Sequence, residues 1–143
     1  MIIALKIIHI VAAAVWFGHK VLIPGDVRAS IRDTTGSAAL ILRMKRAERA
    51  GIASGLVTVA SGVGLIHLVF GFANAPLRIY IGLAAALAMF VIGATVARPA
   101  WQQITVGLEQ GDTPGAAAGV GPFNRALVLE NLLWVLALGT MVT

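Results

Sequence analysis

The sequence predicts an all-α fold, an integral membrane four-helix bundle with both termini outside. Three observations carry this expectation. Four apolar runs of span length punctuate the chain, at about residues 2–23, 51–72, 77–97 and 126–142. The composition is 59% hydrophobic and 12% charged, with a mean hydropathy of +0.91, more apolar surface than a soluble domain of 143 residues buries. The cationic residues gather in the two connections expected on one side. One membrane domain of four spans fills the length, since each crossing takes roughly 20 residues.

The runs lack strict alternation, and only helices or closed barrels satisfy the backbone in lipid, so each reads as a helix. Pro24-Gly25 closes the first run, Asn74-Ala75-Pro76 the second and Arg98-Pro99 the third. The first is long and poor in N-terminal charge, and is expected to stay as a span rather than be removed as a signal peptide. Between runs one and two, Arg28, Arg32, Arg43, Lys45, Arg46 and Arg49 outnumber Asp26, Asp33 and Glu48. The positive-inside rule places this connection in the cytoplasm, in a bacterial-type inner membrane. Residues 33–49 are helix-favouring around Ala38-Ala39-Leu40-Ile41-Leu42 and extend the second helix inward. Residues 98–125 lie on the same side and, being rich in Gly, Ala and Pro, are expected to be partly irregular.

Net charge is +5 and the pI about 10.8. In short loops beside apolar runs such charge sets topology and meets anionic lipid headgroups, so no nucleic-acid partner is expected. There is no cysteine, which removes disulfides and thiolate ligation.

Imidazole inside a bilayer is costly and marks function more often than packing. His9 lies about two turns below the outer end of run one, and His67 one to two turns below the same boundary in run two. Two histidines at one depth suit a shared site. Zinc or copper wants a third or fourth ligand, while Met89 and Met141 stand isolated in sequence and no Asp or Glu lies in the outer half of any run. Haem needs two axial ligands and an apolar slot, so haem b fits best, with copper the alternative. Ala13 and Gly64, with Ala12 and Ala60, offer small surfaces for a flat ring. Trp16 either walls it or packs, and Lys6 and Arg78 either pair with propionates or snorkel.

A second polar cluster is expected toward the cytoplasm: His19, Lys20, Glu130 and Asn131. The buried carboxylate needs a partner, with Lys20, His19 or Arg125 as candidates, giving an ion pair between spans one and four or else a proton relay or a patch that binds a substrate carboxylate. Ser54, Thr58 and Gly62, with Gly51 and Gly55 beside them, form a small-residue ridge on run two. It serves tight packing within the bundle, a homodimer seam, or clearance for a cofactor.

Leu5-Lys6-Ile7-Ile8-His9-Ile10, then Val15-Trp16-Phe17-Gly18 and Leu22-Ile23-Pro24, resembles the first span of HemJ-type protoporphyrinogen oxidases. The likeness continues loosely through Met44-Lys45-Arg46, Arg98-Pro99-Ala100-Trp101 and Leu129-Glu130-Asn131, and CopD-like copper membrane domains share the same plan. The resemblance implies a four-helix haem membrane fold with His9 as axial ligand. That family's lysine near the start of span three has no counterpart in Leu77-Arg78-Ile79-Tyr80-Ile81, which leaves His67 as the natural second ligand. The expected function is therefore a membrane redox protein. It would pass electrons with a quinone or a redox protein, or oxidise a porphyrinogen; copper handling is the alternative.

Overall fold

The structure, a computed structural model, describes residues 1–32 and 37–142. Within its helices the side chains of residues 19, 21–22, 24, 26, 28–32, 37, 40 and 142 lie outside that description. The roles expected of His19, Asp26, Arg28, Arg32 and Asp33 fall there.

All regular structure among the described residues is helical. Helix α1 spans Ile2–Arg32, α2 Ser37–Val69, α3 Leu77–Ile92, α4 Arg98–Gln110 and α5 Thr113–Val142. A π-helical turn, Gly93–Ala97, joins α3 to α4 without a break, and a short 3-10 turn, Phe72–Asn74, lies between α2 and α3. Two helices are long and apolar enough to cross a membrane, over Ile41–Val69 and Leu77–Gln110; Ile2–Gly18 is a shorter apolar helix.

Three expected boundaries move. Helix α1 does not stop at Pro24-Gly25 but runs on to Arg32. A proline inside a helix forfeits one hydrogen bond, and the helix continues past it. The third helix does not end at Arg98-Pro99. The Arg98 N–H donates to the Gly93 carbonyl, five residues back, and this wider turn accommodates the missing donor and bulk of Pro99. Residues 98–125, expected to be partly irregular, are helical except at Gly111 and Asp112.

Of their small residues, Gly111 breaks the helix as expected, while Gly107, Ala116 and Gly119 are packing residues. A Cβ on Gly107 would come within 2.5 Å of the Ala116 backbone nitrogen, and one on Gly119 within 2.8 Å of the Ala100 carbonyl. Helices α4 and α5 therefore touch backbone to backbone. The hairpin turns at Gly111, whose φ of 69° only glycine adopts easily. The Asp112 N–H returns to the Gly107 carbonyl at 2.8 Å, as in a Schellman stop. The Asp112 carboxylate then accepts from the Gly115 N–H at 3.0 Å, capping α5.

The Asn74-Ala75-Pro76 break falls where the sequence puts it. Helix α2 ends before Gly71, φ 68°, and Pro76 leads into α3. The Tyr80 hydroxyl donates to the Phe72 carbonyl across this turn.

Helix α1 lies along α2, and α3 and α4 lie along α5. The largest buried cluster sits at the end away from Asn74. Ile23, Val27, Met44, Trp101, Ile104, Leu108, Phe123 and Leu127 meet there, with Trp101 and Phe123 ring centroids 5.9 Å apart. Ala100, Trp101, Ile104 and Leu108 recur at three- and four-residue steps and form one stripe of α4. Elsewhere the surface is apolar: Ile3, Ile10, Leu77, Val91, Leu132 and Val135 are all exposed.

Candidate functional site

The small-residue ridge of α2 is covered by α1. A Cβ on Gly55 would meet Trp16 at 3.0 Å and Phe90 at 2.7 Å; one on Gly62 would meet the His9 ring at 3.1 Å. Of the three uses expected for the ridge, close packing within the chain is the one the geometry displays, and α1 occupies the face a dimer seam would need. The ridge hydroxyls are satisfied locally. Ser54 donates to the Gly51 carbonyl, Thr58 to Ser54 and Ser61 to Val57, as buried hydroxyls in an apolar helix must.

His9 is held from behind. Its Nδ1 lies 2.9 Å from the Thr58 carbonyl and 3.0 Å from the Ser61 hydroxyl. A carbonyl only accepts, so Nδ1 carries the proton, and in the neutral ring Nε2 keeps the lone pair. This backbone tether is the arrangement that orients a ligating imidazole.

His9 faces a cavity of about 400 Å³ between the helices. Lys6, Ala13, Trp16, Thr58, Gly62, Met89, Trp134 and Met141 share its lining. Sequence separation hid this grouping of Met89 and Met141 with His9. Trp134 stacks on Phe17 with centroids 4.1 Å apart.

His67 is not brought to this site. It is exposed, its ring 5.6 Å from that of Phe72. On a helix of 100° per residue, it stands about 120–180° around α2 from Thr58, Ser61 and Gly62. The equal depth expected for the two histidines did not include this angle. Gly64 packs against Leu5, 3.3 Å from a Cβ built there, and Arg78 is exposed; neither lines the cavity. Among the described residues, no three His, Asp or Glu side chains gather into a metal-holding group.

A second cavity, of about 330 Å³, lies on the other side of Trp16 and Met89, which line both. Lys20 Nζ is 2.6 Å from Glu130 Oε2 and 5.0 Å from the centre of the Trp16 ring. Glu130 is 3% exposed, and Gly93 of the π turn gives it room, with 3.1 Å from Oε1 to a Cβ built there. Arg98 and Glu48 pair at 3.6 Å on the same cavity. Asn131 lies outside this lining, its Oδ1 buried without a hydrogen-bond partner.

No family model, no curated protein and no solved structure matches this chain.

Proposed function

We propose that the chain is a four-span inner-membrane redox protein that holds haem b in the outer cavity through His9. The apolar surface supports the membrane reading. Large side chains such as Ile3, Ile10, Leu77, Leu132 and Val135 stand exposed around the helices, where lipid rather than water is the favourable neighbour. Arg43, Lys45, Arg46, Arg49 and Arg98 lie toward the end opposite the Asn74 turn, which supports a cytoplasmic orientation of that end with both termini outside.

The observation that carries the cofactor reading is the His9 imidazole. Its Nδ1 is tied to the Thr58 carbonyl and its ring lines an apolar cavity, which leaves Nε2 as a ligand. Among the described residues, His9 would hold the haem iron, with Met89 and Met141 as the thioethers lining the same cavity. Haem bound there would supply one-electron chemistry. Trp16 and Trp134 would wall the slot beside Ala13, and Lys6 would offer a cation to a propionate. The resemblance to HemJ-type oxidases points to a porphyrinogen as the substrate class.

One observation favours a second reading. Met89 and Met141 line the same cavity as His9, and imidazole with thioethers is a donor set for copper(I).

Detergent-purified protein separates the two. The haem reading expects a Soret band in wild type and in His67→Ala, and none in His9→Ala. A colourless wild-type protein from haem-replete cells sinks it, and elemental analysis then tests for copper.

A further inference from the structure

We infer that the inner cavity binds the ring of a lipid-soluble quinone, with a quinone carbonyl accepting from the Lys20 ammonium. This rests on the four-span reading, because such a ligand arrives through lipid.

Charge narrows the ligand first. Among the described residues, the cavity's charged lining is two cations and two anions, Lys20 and Arg98 against Glu130 and Glu48, already paired at 2.6 Å and 3.6 Å. A charged guest would leave one of them, or itself, uncompensated in an apolar setting, so the fitting guest is neutral.

Shape narrows it further. Trp16, Phe90, Trp101 and Phe123 supply aromatic walls, which favour a flat ring. About 330 Å³ is at the small end of ligand sites and has room for one ring.

The polar handle completes the description. An ammonium has three N–H donors. One is directed at Glu130 Oε2, the charge also sits over the Trp16 ring, and a donor remains for a carbonyl oxygen. The Glu130 carboxylate beside it accepts from the hydroxyl of the reduced ring. Ile52 on α2 lines the cavity and is exposed, and the Glu48–Arg98 pair bridges α2 to the start of α4.

The chain's tryptophans locate the ligand. Trp101 lines the inner cavity alone, Trp134 the outer cavity alone and Trp16 both. Two single-tryptophan proteins, Trp16→Phe/Trp134→Phe and Trp16→Phe/Trp101→Phe, are titrated in detergent with decylubiquinone while fluorescence is followed. Saturable quenching is expected for Trp101 and not for Trp134. Ala97→Phe, which adds bulk to the inner cavity and keeps all four charged side chains, abolishes it. Lys20→Met/Glu130→Gln, which removes the donor without stranding a carboxylate, weakens binding about tenfold, equivalent to about 1.4 kcal/mol. Saturable quenching of Trp134 instead, purely linear quenching of both, or Trp101 quenching unchanged in Ala97→Phe would overturn the assignment. The readout needs no haem, so a colourless protein that quenches at Trp101 refutes the cofactor reading and keeps this one. A protein soluble without detergent refutes the membrane reading directly.

Discussion

Lys20 and Glu130, 110 residues apart in sequence, meet at 2.6 Å and fasten α1 to α5. The side chains are 12% and 3% exposed. A buried pair gains little over a well-packed apolar pair, but breaking it strands a charge. Lys20→Met should therefore destabilise by about 3–5 kcal/mol, and Lys20→Met/Glu130→Leu should recover most of that loss. Unfolding in mixed micelles, followed by circular dichroism, measures both. Equal loss in the single and double variants would show that the pair contributes more than charge compensation.

Gly107 is the closest point between α4 and α5. A Cβ there meets the Ala116 backbone, which cannot rotate away as a side chain can. Gly107→Ala is expected to cost at least about 1–3 kcal/mol. Gly139→Ala, with nothing within 4 Å of a Cβ built there, should gain up to about 1 kcal/mol from helix propensity. Thermal denaturation of the two variants side by side gives the sign of each.

His9 depends on the α2 ridge for its orientation. Ser61→Ala keeps the Thr58 carbonyl contact, so cofactor affinity should fall by about tenfold or less. Gly62→Val drives a branched side chain into the His9 ring, already 3.1 Å from a bare Cβ, and should abolish cofactor binding. Cofactor retention during gel filtration ranks the variants; full retention in Gly62→Val would separate the ligand from His9.

Topology is testable because the chain has no cysteine of its own. In intact cells, a membrane-impermeant maleimide should label Asn74→Cys and leave Gln103→Cys unlabelled until lysis. The reverse pattern would invert the orientation drawn from the arginines.

The helical class and the break at Asn74-Ala75-Pro76 were legible because apolar run length and a turn ending in proline are local signals. Residues 98–125 were misread for a physical reason. Glycine and alanine weaken an isolated helix, yet they allow the close α4–α5 approach at Gly107, Ala116 and Gly119, and tertiary contact outweighs local preference. The stripe Ala100, Trp101, Ile104 and Leu108 was the signal that could have revealed this amphipathic helix. Likewise Ser61, a hydroxyl one turn beyond Thr58 in an apolar run, was the signal for what holds His9.

By itself the sequence determined the helical class and the spacing of polar residues along each helix, because these depend on composition and on rise along one axis. Only the tertiary structure decided which way each residue faces. Rotation about a helix axis is set by packing against neighbours. Gly55 and Gly62 receiving Trp16 and His9 turned α2 so that His67 points outward, while Met89 and Met141 were brought around the cavity that His9 enters.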